Sequence, residues 1–335
     1  MPRYVILGGG VAATRAAETV RSLRPEDPVT LIAEEDRPFY MRPLLADYVA
    51  GRLEEGDLWL KFEAAAAERS ISLLLGRRAT GLDYRKGRSV VLSDGEKVPF
   101  DLLLIATGAK PSLPQIPGVE LEGVTTFNTY ADAVRVRAWA EKAKRAVVVG
   151  RGLQAVELAR GLRLRGLDVC MVAPDETPWF LPLFQTTQED MERVLGQHGV
   201  EVVVLDAAAE IVGQGGKVTG LRTREGRELA ADIVGFAHHQ QARMEVLEGS
   251  DIGTEEGVLT DRHLRTTDEA VFAAGDVAQI QADGERRALG YGWMRASAQG
   301  EAAARNMCGE QVAAAVGDEF QAQALYGMSL TARWR

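Results

Sequence analysis

Two segments of this chain repeat one pattern, in which a short apolar run leads into a glycine-rich turn and then into an amphipathic stretch. In the first segment, the apolar run 4–7 leads into Gly8-Gly9-Gly10, and apolar residues at helical spacing predict a helix from about 12 to 23. In the second segment, the apolar run 146–149 leads into Gly150-Arg151-Gly152 and a second helical pattern. The repetition predicts two units of similar structure, each of a size that suits one nucleotide.

Strand-like runs fill most of the remaining chain. Strands are expected after the two helices, at 29–33 and 168–173, and an apolar strand at 269–274 precedes a strong helical pattern at 293–307. The runs between 71 and 106 are interrupted by glycine and charged residues. They predict a small antiparallel insertion that leads back into the sheet.

These elements predict an α/β protein with two Rossmann-like domains, each a three-layer ββα structure. We expect the second domain to be inserted in the first. The first domain is predicted to comprise residues 1–113 and 245–315, and the second residues 114–244. Residues 316–335 are predicted to form only a short C-terminal stub.

Composition excludes several classes of protein. The formal net charge of −9 argues against a general affinity for nucleic acid or anionic membranes, which require an excess of Lys and Arg. No apolar run approaches the roughly 20 residues needed to cross a bilayer, and the first residues lack the pattern of a signal peptide, so we expect a cytoplasmic protein without membrane insertion. The two cysteines, Cys170 and Cys308, lie in different contexts and predict no disulfide, and the histidines lack ligand spacing, so no metal site is expected.

The first glycine-rich turn has the residues that a dinucleotide site requires. In Gly8-x-Gly10-x-x-Ala13, the first glycine permits the tight turn, the second lets a pyrophosphate approach the backbone, and the small Ala13 allows close helix packing. The helix that follows offers N–H groups and a partial positive charge to phosphates. Glu34 and Glu35 follow about 25 residues later, where a carboxylate can accept from a ribose hydroxyl.

The second turn repeats the pattern with weaker support downstream. Gly150, Gly152 and Glu157 keep the spacing of the turn and its helix, but Ala173 occupies the position where a ribose-binding carboxylate is expected. No Arg or Lys follows Ala173 closely, so a 2′-phosphate is not favoured. Two interpretations remain open for this unit: a second dinucleotide site, or a retained fold whose nucleotide binding has weakened.

These motifs and four others occur in one order that resembles a known family. The others are the runs 39–45, 105–111 and 271–276, and the pattern Trp293-x-x-Ala296-x-x-Gln299-Gly300. The chain resembles the FAD-dependent pyridine nucleotide-disulfide reductase superfamily over roughly residues 3 to 309. Within it, the chain is most similar to members without a redox disulfide, the ferredoxin, rubredoxin and nitrite reductase-type flavoproteins.

The resemblance implies an FAD site composed of residues from both ends of the chain. Gly8, Gly10 and Ala13 would hold the pyrophosphate, and Glu34 or Glu35 the adenosine ribose. The resemblance further implies that the helix at 298–300 aims its N-terminal dipole at the flavin. The other FAD-binding residues that it implies are Arg42, Pro43, Ala79, Ala106, Thr107, Gly108, Gly275, Asp276, Trp293 and Gln299.

The resemblance also implies an NADH site on the second unit. Gly150 and Gly152 would bind the dinucleotide, and Glu157 would lie near the nicotinamide. Arg42, which would border the flavin ring system, and Glu157 are the predicted catalytic residues.

Four features depart from the family pattern. The Cys-x4-Cys pair is missing, which disfavours a disulfide substrate, and Asp47 stands where ferredoxin reductase-type members often have Lys. The segment His238-His239-Gln240-Gln241-Ala242 replaces a Gly-x-Arg-Pro turn. We expect the C-terminal interface domain to be absent or reduced to the stub, so a partner subunit would supply what is missing.

Three functions follow from these observations. The first is an FAD-dependent NAD(P)H oxidoreductase, with NADH preferred, that passes electrons to a protein or small-molecule acceptor. The second is an FAD-carrying electron-transfer or assembly subunit of a larger redox complex, with a degenerate NAD site. The third is a binding protein that holds FAD only as a structural ligand.

Overall fold

The structure is a computed structural model that describes residues 1–37, 39–60, 62–174, 188–237, 240–282, 285–286 and 292–314. The strands are β1 Tyr4–Leu7, β2 Val29–Ile32, β3 Ile71–Leu74, β4 Ala79–Asp83, β5 Ser89–Leu92, β6 Lys97–Pro99, β7 Leu102–Ile105, β8 Ala109–Pro111, β9 Val124–Thr126, β10 Arg145–Val149, β11 Asp168–Ala173, β12 Val200–Val204, β13 Ala208–Gln214, β14 Lys217–Thr223, β15 Glu228–Ala230, β16 Ile233–Phe236, β17 Gln240–Ala242, β18 Val258–Thr260, β19 Val271–Ala273, β20 Ala278–Ala282 and β21 Glu285–Arg286. The helices are α1 Val11–Leu23, α2 Leu45–Val49, α3 Glu55–Leu58, α4 Phe62–Glu68, α5 Tyr130–Ala140, α6 Leu153–Leu164, α7 Gln188–Gln197 and α8 Trp293–Met307.

The chain divides into two compact units. The first contains Met1–Tyr40 and Trp59–Lys110 together with the described residues from Gln241 onward, and the second contains Met41–Leu58 and Pro111–Gln240. The sequence predicts the inserted second unit but assigns 41–58 to the first. The contacts group this segment with the second unit, because α2 packs on α5 and α6.

The first unit contains a five-stranded parallel sheet with the order β19-β7-β1-β2-β3. Alternate residues of β1 point to opposite faces: Tyr4 and Ile6 join the hydrophobic cluster beneath α1 and α8, whereas Val5 and Leu7 join a cluster with Val90 of the antiparallel sheet β4-β5-β6. The result is the predicted three-layer arrangement of two sheets and helices.

The second unit repeats this architecture. Its parallel sheet has the order β12-β11-β10-β16-β9, and the antiparallel sheet β13-β14-β15 covers one face of it. Val147 and Val149 on β10 share a core with Ile211, Val218 and Leu221 of that antiparallel sheet. In both units the strand order reverses beside the first strand, between β1 and β7 and between β10 and β16. Such reversal points are where open α/β sheets bind ligands.

One strand lies in a different sheet from the one predicted. The run that begins at Ile71 is expected to open the antiparallel insertion, but β3 pairs in parallel with β2 and forms the edge of the main sheet. Only β4, β5 and β6 form the antiparallel sheet. The apolar pattern identifies a strand, but it does not specify which partner the strand will pair with.

No helix in the described part of the chain is both long and apolar enough to cross a membrane. Asp175, His238, His239 and the predicted stub at 316–335 lie outside the described residues.

Candidate functional site

The first glycine-rich turn lies across the reversal point of the first sheet. Gly8 follows β1 directly and has φ +134°, and a Cβ added to it would lie 2.1 Å from the carbonyl oxygen of Ala106, which follows β7. The Gly8 N–H donates to the Ile32 carbonyl oxygen at 2.8 Å, so the turn is also tied to β2. Only glycine fits this position, because both the backbone conformation and the space exclude a side chain.

The start of α1 is open for an anion. Gly10 is its N-cap residue, and a Cβ added to Gly10 would have no heavy atom within 4 Å. Among the described residues, no side chain caps the first turn of α1, while Ala13 is completely buried beneath it. The first N–H groups and the helix dipole are therefore available to a phosphate.

Residues from the far end of the chain support this turn. Gly275 has φ +81°, and its N–H donates to the Oε1 atom of buried Gln299 at 2.8 Å. The Gly292 N–H donates to Oδ1 of Asp276 at 3.2 Å, which ties the Gly275-Asp276 turn to the start of α8. The structure thus brings Gly275, Asp276 and Gln299 together beside α1.

Helix α8 has the bounds predicted from the sequence, and the proposed role of its dipole toward the flavin stays a prediction. Helix α8 begins at Trp293, after the N-cap residue Gly292, so residues 298–300 lie inside the helix. Gly300 has a packing role, because a Cβ added there would lie 2.2 Å from the Ala12 carbonyl oxygen. The family pattern thus extends from the start of α8 at Trp293 to the point at Gly300 where α8 crosses α1.

A small cleft opens beyond the carboxyl ends of β1, β2 and β3. Gly9, Ala33 and Phe39 are among the residues that line it, and Glu35 and Arg37 provide charged groups. Glu35 accepts a hydrogen bond from the Tyr40 hydroxyl at 2.9 Å. Because Gly9 lines the cleft, the cleft adjoins the first glycine-rich turn.

The neighbouring Glu34 has different surroundings. It is half-exposed, accepts a hydrogen bond from Nη1 of Arg243 at 3.0 Å and lies 3.9 Å from Nε of Arg78. The carbonyl oxygen of Arg243 also accepts a bond of 2.6 Å from the Thr107 hydroxyl, next to Gly108 with its φ of +71°. The structure therefore gives different partners to Glu34 and Glu35, which the sequence alone does not distinguish.

The second glycine-rich turn has the same geometry as the first. Gly150 has φ +146°, its N–H donates to the Val172 carbonyl oxygen at 2.9 Å, and a Cβ added to it would lie 2.5 Å from the carbonyl oxygen of Ala237. Gly152 is the N-cap residue of α6, again without a side-chain cap among the described residues and without a heavy atom within 4 Å of an added Cβ. Ala173 ends β11 and is fully buried.

Glu157 lies one turn beyond the start of α6 and is part of a buried ionic group. The Arg160 guanidinium, on the next turn, donates from Nε and Nη2 to Oε2 of Glu157 at 3.0 and 2.8 Å. It also donates from Nη1 and Nη2 to the two carboxylate oxygens of Asp47 at 2.8 and 3.0 Å. Burial acts to lower the pKa of Arg160, but its hydrogen bonds to Asp47 and the negative charge of Glu157 outweigh this effect and raise the pKa.

The other predicted site residues are in three places. Arg42 and Pro43 form a short 3-10 helix in the second unit, where Nη1 of Arg42 donates to the Asn128 carbonyl oxygen at 2.6 Å. Trp293 stacks on Phe39, which lines the cleft of the first unit. Ala79 begins β4 and packs against the core cluster on that face of the sheet. Their predicted roles toward a ligand stay predictions.

The two cysteines are free thiols. Burial raises the pKa of Cys170 to about 12, so this thiol stays protonated near neutral pH. Cys308 is buried at the end of α8, and burial raises its pKa as well. Neither has the properties of a reactive thiolate.

Comparison with known proteins gives one consistent result. The family model described as pyridine nucleotide-disulphide oxidoreductase matches residues 2–303. The chain is 28% identical over 310 residues to a nitrite reductase [NAD(P)H] of Bacillus subtilis, with 92% of this chain and 37% of that protein covered. It is 29% identical over 319 residues to the ferredoxin–NAD(+) reductase subunit of the benzene 1,2-dioxygenase system of Pseudomonas putida, with 92% and 75% covered. Among solved structures, a ferredoxin reductase from Rhodopseudomonas palustris matches with a TM-score of 0.85 at 24% identity, over 94% of this chain and 78% of that one.

Proposed function

The chain belongs to the pyridine nucleotide-disulphide oxidoreductase family, and on that basis we propose that it is an FAD-dependent oxidoreductase that passes electrons from NADH to a ferredoxin-type protein. One observation supports this above all others: each parallel sheet has a glycine turn at its reversal point, with an open helix start behind it. Two dinucleotide sites on one chain suit a reaction that moves electrons from one cofactor to another. The chain spans little more than a third of the length of the Bacillus subtilis nitrite reductase. The ferredoxin-type acceptor is therefore proposed and does not follow from that match.

The first unit has the features that FAD requires. The turn at Gly8 and Gly10 and the N–H groups of α1 would hold the pyrophosphate, and Glu35 would accept from the adenosine ribose because it lines the cleft. Glu34 would keep its ion pair with Arg243. When bound, FAD supplies the redox chemistry, since it accepts two electrons from NADH and releases them to acceptors.

The second unit would hold NADH on Gly150, Gly152 and the start of α6, with Arg42 and Glu157 as the proposed catalytic residues. Glu157 would position the nicotinamide and set the charge around it, and Arg42 would border the flavin ring system. We place the protein in the cytoplasm, where free thiols such as Cys170 and Cys308 persist.

A second candidate function is suggested by the end of β11. Ala173 is fully buried where a carboxylate would bind the ribose, which favours a subunit that keeps FAD while its NAD site has weakened. Such a subunit would receive its electrons from a partner protein. The two candidates differ in whether NADH alone reduces the bound flavin.

Two matched variants test the first candidate. Gly8→Ala places a Cβ 2.1 Å from Ala106, so purified protein should lose FAD; Gly150→Ala, with its contact of 2.5 Å to Ala237, should keep FAD but resist reduction by NADH. Gly87→Ala and Gly166→Ala are the controls, because both glycines have a similar positive φ with no heavy atom near an added Cβ. They should retain FAD and NADH reduction.

The assay is an anaerobic titration with NADH, followed by the absorbance of the flavin, and then by addition of an oxidised ferredoxin. A wild-type flavin that stays oxidised at millimolar NADH, yet is reduced by dithionite, would refute the first candidate and favour the second. Reduction by NADH without reoxidation by ferredoxin would refute the proposed acceptor alone.

A further inference from the structure

The buried ionic group on α6 contains a residue to which neither the sequence nor the family resemblance gives a role. Only 3% of the Arg160 side chain is exposed, and it makes four hydrogen bonds to two carboxylates. A planar guanidinium donates in two directions at fixed angles, which a lysine ammonium does not do. The arrangement therefore fixes the Glu157 side chain with respect to α6.

The second carboxylate comes from a segment far away in the sequence. Asp47 lies on α2, which packs directly on α6: a Cβ added to Gly161 would lie 2.8 Å from the Ala46 carbonyl oxygen. This close approach brings Asp47 within reach of Nη1 and Nη2 of Arg160. The acidic residue at position 47, a departure from the family pattern, thus has a structural partner.

The charges also constrain the group. Two carboxylates share one guanidinium, so the group has a formal charge of −1 when all three side chains are ionised. Removing a partner from such a buried pair is strongly unfavourable, because it leaves an uncompensated charge. Glu157 is consequently held as an oriented negative charge close to the start of α6.

We propose that Arg160 is a positioning residue that, anchored by Asp47, orients the Glu157 carboxylate toward the nicotinamide ring. The inference rests on the proposed function, in which the second unit binds NADH. A fixed negative charge there favours the oxidised ring, which is positive, over the reduced ring, which is neutral. Arg160 acts through Glu157 and does not contact the dinucleotide.

The test compares the affinities of NAD⁺ and NADH. Dissociation constants are measured by calorimetry on the FAD-loaded protein, for wild type, Glu157→Gln, Arg160→Met and the double variant. Because NADH would reduce the flavin during the titration, its constant is taken from 1,4,5,6-tetrahydro-NAD, whose ring is also neutral but cannot donate a hydride. Glu157→Gln should raise the ratio of the NAD⁺ to the NADH dissociation constant about fivefold to tenfold, an electrostatic coupling of ordinary size. Arg160→Met should also raise this ratio, and the ratio in the double variant should differ little from that in Glu157→Gln alone.

Three other results would overturn the proposal. An unchanged ratio in Arg160→Met, with both constants raised equally, would show a structural role only. A lower ratio would show that the Arg160 charge acts directly on the ring. Additive effects in the double variant would show that Arg160 and Glu157 act independently.

Asp47→Asn is a second variant for the case that Arg160→Met does not fold. It keeps the Arg160–Glu157 pair and weakens its anchor, so the ratio should rise by a smaller factor in the same direction. An unchanged ratio in a folded Asp47→Asn protein contradicts the anchoring role of Asp47. Wild-type protein that binds neither NAD⁺ nor NADH would refute the proposed function itself, a result distinct from those that refute only the role of Arg160.

Discussion

The crossing of α8 over α1 gives the most quantitative prediction, through Gly300→Ala. A Cβ at position 300 would lie 2.2 Å from the Ala12 carbonyl oxygen and 2.9 Å from its Cα, both backbone atoms that no change of rotamer can remove. Gly196, on α7, is the matched control, because a Cβ added there would have no heavy atom within 4 Å.

The expected magnitude is a difference between two opposing effects. Alanine in place of glycine stabilises a helix interior by about 1 kcal/mol, and less near a helix end such as Gly196. Overpacking costs roughly 1–3 kcal/mol, and a contact this short with backbone belongs at the upper end. Gly300→Ala should therefore lower the free energy of unfolding by roughly 1–2 kcal/mol, whereas Gly196→Ala should leave it unchanged or raise it slightly.

Ala12 lies in the first turn of α1, so displacement of this turn should also weaken FAD binding. Since about 1.4 kcal/mol corresponds to a factor of ten in an equilibrium constant, we expect a loss of roughly tenfold in FAD affinity for Gly300→Ala. The measurements are urea unfolding by circular dichroism and FAD titration by flavin fluorescence. If Gly300→Ala equals Gly196→Ala in both, the close packing of α8 on α1 does not support the FAD site, and the reasoning is wrong.

Three further predictions follow from other contacts. Glu35→Gln should weaken FAD binding by roughly tenfold, because one lost hydrogen bond to a charged group costs about 1.4 kcal/mol. Glu34→Gln should leave FAD binding nearly unchanged. Equal effects of the two variants in a fluorescence titration would contradict the assignment of the ribose to Glu35. Thr129→Ala removes the side-chain oxygen that accepts from the Asp132 N–H at 3.2 Å in the capping box of α5, so the free energy of unfolding should fall by about 1 kcal/mol in urea titrations. Burial raises the pKa of Tyr4 from 10.0 to about 12, so the contribution of its protonated form to stability is present below pH 10 and is lost as the pH rises from 10 to 12. Wild type should therefore lose stability faster than Tyr4→Phe over that range. Parallel profiles of stability against pH for the two proteins would exclude this contribution.

The parts of the site that depend on local sequence are predictable. The turn at Gly8 and Gly10 requires glycine for reasons of conformation and space within a few residues, so its motif specifies its structure. The family match is confirmed, and with it the assignment to a family that binds FAD and uses NAD(H), as is the α/β fold with two Rossmann-like units. The start of α5 is marked in the sequence by the capping pattern from Thr129 to Asp132.

Other features depend on which segments pack together. The choice between Glu34 and Glu35 follows from the positions of Arg243 and the cleft, neither of which is local to the two carboxylates. The interaction of Asp47 with Arg160 requires α2 to pack on α6. Two signals in the sequence pointed toward it: an acidic residue at a position where the family often has Lys, and an arginine three residues after Glu157 on the same helix face.

The order of strands in the first sheet has a consequence for the synthesis of the chain. β1 and β7 are made early, but β19, which pairs with β7, emerges only after the whole of Pro111–Gln240, and α8 emerges later still. Until then β7 has an unpaired edge and α1 has no partner at Ala12, so the nascent first unit exposes surface that is prone to misassembly. The first glycine-rich turn thus becomes stable only when α8, which is synthesised after Pro111–Gln240, docks beside it.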